Sequence, residues 1–230
     1  MIVGENLHNL NIDMPDDAHC TQKDLPTFNA YLTIIVRDSN GKVVKVHRQR
    51  SHSPTENLLQ LLIPFYYLNS NKISITIVNT SNSSTTFTPA TAAGISYPSN
   101  QKNYSSYLVM IQVGSGSQSN PYNAYSLAAP IANGTGTGQL VYGTPSVSAS
   151  ITASGSSAYF YVSQTFNNNS GGTVTITEVG IITNINIYGP YGGNNYSLGN
   201  ILVWYDVLSS SISVSNGGSV TIYYTFTVNP

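Results

Sequence analysis

Charge is what this sequence has least of. Lys, Arg, Asp and Glu make up 7% of its 230 residues, against roughly 25% in an average soluble protein. The scarcity is also lopsided: all eight Lys and Arg lie at or before Lys102, and from Asn103 onward the only carboxylates are Glu178 and Asp206. A half-chain without cations cannot neutralise phosphates, so nucleic acid is not an expected partner. So few carboxylates leave acid little to protonate, which points to acidic surroundings. Cysteine is nearly missing as well. Cys20 stands alone and excludes an internal disulfide. Its neighbours Asp16, Asp17 and His19 are of metal-ligand type, but no second spaced cluster completes a four-ligand site, so neither a metal nor a cofactor is expected. Long apolar runs are absent. The best, Leu61 to Leu68, is far too short for a bilayer span, and the start MIVGENLHNLNIDMPDD lacks the basic region of a secretory signal.

What replaces charge is Ser, Thr, Asn, Gly and 17 Tyr, with a hydrophobic fraction of 40% and net charge −1. Disorder normally comes with high net charge and few aromatics, so the composition predicts a folded chain with a neutral polar surface. Such a surface lacks the net repulsion that keeps copies apart, and a homo-oligomer is expected.

Residues 1–28 hold Pro15 and Pro26, most of the acidic residues and little periodicity, and read as an extended arm. YLTIIVRDSNGKVVKVHRQR then places two β-rich runs around Asn40-Gly41, predicting a hairpin from Tyr31 to Arg50 with positive φ at both turn positions. In SHSPTENLLQLLIPFYYL, Ser53 as N-cap, Pro54 at the first helical position and Glu56 form a capping box, predicting a short helix near 54–63 that ends or kinks at Pro64. A strand, 72–78, follows.

Thereafter the reading is all β: Tyr107 to Val113, Gln139 to Tyr142, Ser146 to Thr152, Ala158 to Phe166, Thr173 to Ile182, Ile201 to Leu208 and Ser219 to Val228. Polar turn clusters (ASGSS, NNNSGG, YGPYGGNN, SNGG) separate them. In AYFYVSQTF and SVTIYYTFTV apolar residues alternate with Tyr, Thr and Ser, so one face is core and the other rich in hydroxyls. The fold class is therefore mainly β, an antiparallel sandwich resembling a jelly roll. Domains are read as a hairpin-helix-strand unit over 29–79, a linker or long loop over 80–104 and a β-sandwich over 105–230, with 29–230 forming one domain or two.

Two glycine clusters, GSGS at 114–117 and GTGTG at 134–138, follow apolar runs as nucleotide loops do. A dinucleotide site needs a helix after the glycines and an acidic residue about 20 positions on. Here Pro121 and Pro130 leave no room for the helix, and no carboxylate occurs before Glu178. The glycines are expected instead to turn the backbone or let strands approach closely.

The order GSGSQSNPYNAYSLAAPI, GTGTGQLVYG, FYVSQTFNNNSGGTVTITEVGI, ILVWYDVL and ISVSNGGSVTIYYTFTV, with VRDSNGKVVKVHRQRSHSPTENLLQLL upstream, resembles uncharacterised structural proteins of viruses that infect thermophilic hosts. The resemblance covers about residues 30–228. It implies a virion component of capsid, vertex, turret or tail, made in the host cytoplasm without a secretory signal and exposed outside after release. Other virion proteins are then expected partners, and no catalytic residues are implied.

Residue chemistry agrees with that expectation. A Ser-His-Asp arrangement would have to join His8, His19, His47 or His52 to Asp206 or Asp38 across the fold, and no Gly-x-Ser-x-Gly marks a nucleophile. Glu178 and Asp206 are the pair a glycosidase would use, although Glu178 in ITEVGI reads equally as a strand-end residue satisfied by turn amides. Lys45, Arg48 and Arg50 form the sole basic cluster, either a contact patch or an exposed strand end. Sequons open at Asn79, Asn82, Asn103, Asn133, Asn168 and Asn195. The rival function is a carbohydrate-binding or host-adhesion module. Trp204 and exposed tyrosines would stack on sugars, and Tyr188, Tyr191, Asn194, Asn195 and Tyr196 form the loop expected to touch a host glycan.

Overall fold

The computed structural model describes residues 27–51, 53–66, 74–87, 94–96, 109–148, 152–154, 157–188 and 195–229. Its strands are β1 (Thr27–Arg37), β2 (Val43–Ser51), β3 (Ile75–Val78), β4 (Ser84–Phe87), β5 (Gly94–Ser96), β6 (Val109–Gly114), β7 (Val141–Tyr142), β8 (Ser146–Val147), β9 (Thr152–Ser154), β10 (Ser157–Asn167), β11 (Val174–Tyr188), β12 (Asn195–Val214) and β13 (Ser219–Asn229). One helix, α1 (Glu56–Tyr66), occurs among the described residues, and no described helix is long and apolar enough to cross a membrane. The chain is mainly β, and its strand pairs are antiparallel.

Period-two alternation decides which face of each strand is buried. In β1, Ala30, Leu32, Ile34 and Val36 are buried while Tyr31, Thr33 and Ile35 are half-exposed. In β10 the buried set is Val162, Gln164 and Phe166, and in β13 it is Val220, Ile222, Tyr224 and Phe226. These strands form one sheet in the order β2-β1-β13-β10-β7, with β8 and β9 also paired to β10. A second sheet runs β12-β11-β5, with β6 also paired to β11. β1 is matched to β13 along its whole length. Residues 29–79 and 105–230 therefore build one sheet together, and the span read as a linker supplies β4 and β5.

Both sheets give side chains to a single buried cluster. Leu32, Ile34 and Ile222 come from the first, and Ile111, Val179, Ile181 and Ile212 from the second. Full burial of each is worth about 1.5–3 kcal/mol. A second cluster fastens Leu61 of α1, with Ile75, Ile77 and Phe87 of the β3–β4 hairpin, to Ile201 of β12. A third covers the other face of β11 and β12: Ala124 and Leu127, from the loop after β6, meet Ile182, Leu202 and Tyr205.

Side chains also lace the sheets together along both edges. Gln49 on β2 donates to the Val207 carbonyl (3.1 Å) and accepts from the Ser209 N–H (3.0 Å), while Lys45 Nζ donates to the Ser211 carbonyl (2.9 Å). At the opposite edge, buried Gln164 of β10 accepts from the Ile111 N–H of β6 (2.7 Å) and donates to the Gly143 carbonyl (2.8 Å). Each lace satisfies a main-chain group that an open sheet edge would leave unpaired.

Three local expectations are corrected. The helix starts at Glu56, two residues after the expected Pro54. Residues 53–55 run beside β12 instead: the Tyr205 N–H donates to the Ser53 carbonyl (3.0 Å), the Thr55 N–H to Val203 (3.1 Å) and Thr55 Oγ1 to Leu202 (2.7 Å). Those tertiary bonds outcompete the capping box. The helix also runs through Pro64 to Tyr66, since a proline in the last turn forfeits a single main-chain bond. In the β1–β2 turn only Gly41 has positive φ, at 79°. Asp38 explains why: its Oδ1 accepts the Asn40 and Lys42 N–H groups at 2.9 and 3.0 Å, closing an Asx turn that keeps Asn40 out of the left-handed region. The β3–β4 turn repeats the device, with Asn79 Oδ1 accepting from Ser81 and Ser83 and Asn82 at φ 60° in the place of Gly41.

Candidate functional site

The outward face of the first sheet is a broad surface of uncharged side chains. Register aligns it in rows across the strands: Ile35, Thr221 and Thr165; Thr33, Tyr223 and Ser163; Tyr31, Thr225 and Tyr161; Asn29, Thr227 and Tyr159. All twelve are half-buried. Thr165 and Thr221 hydroxyls bond at 2.9 Å, and the Tyr161 and Tyr223 rings meet edge to face at 6.3 Å. Charge enters this face at its rim: from β2, where Arg48 lies 5.2 Å over the Tyr31 ring and Arg50 donates to Asn29 Oδ1 (2.7 Å), and from Arg37 at the end of β1, which is held by the Gly41 carbonyl (3.0 Å). The basic cluster is thus split. Arg48 and Arg50 border the tyrosine face, whereas Lys45 turns to the other side of β2 and is held by Ser211.

The glycine clusters have a physical explanation that ends at Glu178. This residue is fully buried within β11 rather than at a strand end. Its Oε1 accepts the N–H groups of Gly116 (3.1 Å) and Ala129 (2.7 Å), and its Oε2 accepts the Ala128 N–H (2.9 Å) and the Tyr205 hydroxyl (2.7 Å). Three loop amides thus converge on an anion, as a phosphate loop's would, but the anion is the protein's own carboxylate. Gly114 and Gly116 are small because this carboxylate and the returning chain lie against them. A Cβ on Gly114 would sit 2.7 Å from the Ala129 carbonyl oxygen and closer still to Glu178 Oε1, and one on Gly116 would lie 2.8 Å from the Ala129 nitrogen. In the second cluster, Gly138 takes φ 76° at a turn. Burial, followed by the bond to Glu178 and its charge, holds the Tyr205 hydroxyl well above its usual pKa, so it remains a donor.

Asp206 faces the other way. Val179 and Asp206 are register partners, as are Glu178 and Val207, so the two carboxylates project from opposite faces of the β11–β12 pair. They cannot flank one substrate, and the glycosidase pairing is overturned. Asp206 Oδ2 accepts the hydroxyls of Ser51 (2.5 Å) and Tyr224 (3.0 Å), while the Trp204 indole N–H donates to Ser51 Oγ. Burial first, then the charge and hydrogen bond of Asp206, raise the Tyr224 pKa.

Above that network, where β1 begins and β13 ends, lies an open apolar groove of ≈ 380 Å³. Phe28, Leu58, Leu62, Phe160, Trp204 and Phe226 are among its lining residues. Phe226 makes the floor, its ring 4.8 Å from Phe160, 5.2 Å from Trp204 and 6.0 Å from Phe28. An adjoining hollow of ≈ 330 Å³ shares Phe28, Leu58 and Trp204 and adds Asn29, Arg50 and Ser51. Sequence reasoning passed over this groove. It gathers half of the six Phe and the sole Trp from four different strands, β1, β10, β12 and β13, so no local pattern marks it.

The loop expected to touch glycans joins β11 to β12. Tyr191 and Asn194 lie outside the described residues, as do the side chains of Tyr188, Asn195 and Tyr196, although the register Tyr188↔Asn195 and Ile187↔Tyr196 is set. His8, Asp16, Asp17, His19, Cys20, His52 and Asn103 also lie outside them. Asn168 does not remain a free sequon: its side chain is fully buried, and Nδ2 donates to the carbonyls of Gly172 (2.8 Å) and Val214 (2.7 Å). The chain matches no family model, no curated protein and no solved structure.

Proposed function

We propose that the chain is a noncatalytic structural subunit of a virus particle, a closed β-sandwich of jelly-roll-like build that joins its neighbours through the tyrosine and threonine face. The observation that carries this reading is the face itself. Twelve half-buried uncharged residues form a continuous array with charge only at its rim, from β2 and from Arg37 at the end of β1. Interface centres are depleted of charge and enriched in Tyr, and joining two such faces desolvates no ions. The one cluster shared by both sheets and the laces at both edges support the sandwich. The resemblance to virion proteins supports the setting, and the commitment of both C-terminal carboxylates to internal bonds supports a role in packing rather than in chemistry. Sedimentation velocity with negative-stain imaging tests it. A closed ring or shell of subunits is expected, and replacing Tyr161 and Tyr223 with Glu should return it to single chains of 24.6 kDa without loss of fold. A wild-type chain that stays single at its highest soluble concentration would overturn the reading.

A second reading, host adhesion through surface carbohydrate, is favoured by the same rings. Tyr161, Tyr223 and Tyr31 lie on a flat sheet with Arg48 and Asn29 beside them, a surface on which sugar rings can stack and hydroxyls can bond. A glycan array separates the two: binding abolished by Tyr161→Ala, in a chain that stays single, selects adhesion.

A further inference from the structure

We propose that the aromatic groove is the docking site of this chain's own residues 1–26. Two of the large apolar side chains that stand exposed line it, Phe28 and Leu62, at 58% and 43%, and a third, Leu59 at 44%, lines the adjoining hollow. A groove of this size and apolarity calls for an occupant. Position, charge and pattern name one.

Phe28 lies on the groove wall and is the second residue of β1, so residues 1–26 join the described fold at the groove's own rim. A tether this short gives the segment a high effective concentration at the site. Charge is complementary. Residues 1–26 carry Glu5, Asp13, Asp16, Asp17 and Asp24 against Lys23, a net −4 in a chain of net −1, which leaves +3 for residues 27–230. Two of the four carboxylates in that remainder, Glu178 and Asp206, are buried, so its accessible charge is more positive still. Arg50 lines the adjoining hollow, where among the described residues its hydrogen-bond partner is the neutral Asn29. Pattern completes the case, because Leu10, Ile12 and Met14 alternate with Asn11 and Asp13. That spacing offers apolar side chains to one side of an extended peptide and a carboxylate to the other. The groove takes the first and Arg50 the second.

The sole tryptophan, Trp204, lines both hollows but is only 6% exposed with them open, so an apolar dye is the primary reporter of their cover and Trp204 fluorescence a secondary one. The test uses the full chain, diluted until it is single, with acrylamide as a neutral quencher of Trp204 and Nile red as a neutral apolar probe. In the wild-type chain Trp204 is shielded and Nile red stays dark. Arg50→Glu raises Nile red emission several-fold, and so does a chain with Asp13, Asp16 and Asp17 changed to Lys. Combining the two restores shielding, because the charges are exchanged. Leu62→Glu, at a surface position where refolding is not at issue, releases the segment through the apolar wall instead; far-UV circular dichroism confirms the fold of each variant. Unchanged signals in Arg50→Glu, or additive effects in the charge exchange, overturn the proposal. Shielding that disappears on dilution identifies a second copy as the occupant and overturns it too. Native mass above that of the bare chain, with shielding lost when a bound amphiphile is extracted, does the same in favour of a small ligand. Because single chains are read, failure of the charge exchange leaves the assembly reading untouched; only the second-copy outcome bears on it, and in its favour.

Discussion

Replacing Glu178 with Gln tests whether a buried carboxylate holds the loops over the second sheet. The substitution keeps shape and removes charge. With Oε1 still accepting from Gly116 and Ala129, the new amide NH2 takes the place of Oε2 and points a donor at the Ala128 N–H and at Tyr205. Tyr205 can turn its hydroxyl to accept, but the Ala128 N–H has nothing left to donate to. An orphaned buried donor costs about 1–3 kcal/mol. The two surviving bonds lose their charge assistance, which removes roughly another 1 kcal/mol. Against this, Gln need not be stripped of an ion's hydration, the term that makes many buried charges poor stabilisers. The bonds sum to a gross loss of about 2–4 kcal/mol, and with four donors on two oxygens they should outweigh the relief of desolvation, leaving a net loss of about 1–3 kcal/mol. For a chain of this size that lowers Tm by roughly 2–12 °C. Glu178→Ala, which abandons all four donors, should lose more. Thermal unfolding by circular dichroism gives the magnitude, and limited proteolysis gives the place, with new cleavage expected within 115–130. A Gln variant that melts with or above the wild-type chain would show that desolvation outweighs the four bonds, and the account of Gly114 and Gly116 would fall with it.

Alkaline pH should unfold the protein through Tyr205 and Tyr224, whose folded pKa values lie above the ordinary 10.0. A raised pKa means that the folded state keeps a proton the unfolded state has lost. The stabilisation is complete below about pH 10 and falls by about 1.4 kcal/mol per pH unit for each tyrosine as pH rises further. Urea midpoints measured from neutral to strongly alkaline pH give the slope, and Tyr224→Phe should halve it; an unchanged slope would remove Tyr224 from the account. Asn168 ties the β10–β11 corner to the end of β12, so Asn168→Ala should cost about 2–4 kcal/mol in denaturant melts. Asn168→Asp should cost more, because a carboxylate oxygen would then face the Gly172 and Val214 carbonyls. An Asp variant as stable as wild type would refute that orientation.

How much of this was legible depends on the range of the interaction. Strand alternation is local, so the buried faces of β10 and β13 could be read from AYFYVSQTF and SVTIYYTFTV, and the structure buries Val162, Phe166, Ile222 and Phe226 accordingly. The Asn40-Gly41 hairpin was legible for the same reason. Its turn type was not, since the Asp38 side chain diverts the backbone and a dipeptide rule takes no account of it. Strand ends were lost wherever a distant segment extended them. β12 runs from Asn195 to Val214, well beyond the Ile201 to Leu208 visible as an apolar run, because β11 pairs with it across three register shifts.

Glu178 marks the limit of local reading. A lone carboxylate in an uncharged half-chain invites a catalytic reading, and glycines after a strand invite a phosphate. The two signals are 62 positions apart in the case of Gly116 and Glu178, and neither resolves without the other. Once β6 lies against β11, the Gly114↔Glu178 register places the carboxylate beneath the glycines, and each feature accounts for the other. The loop amides need an anion, the carboxylate needs donors, and the absence of a Cβ lets them meet. A chain that spends its last two carboxylates in this way, one under a loop and one between the sheets with Ser51 and Tyr224, has used its charge to fix its own shape. Its outer face is left largely to uncharged rings and hydroxyls, the surface on which the proposed contact between copies rests.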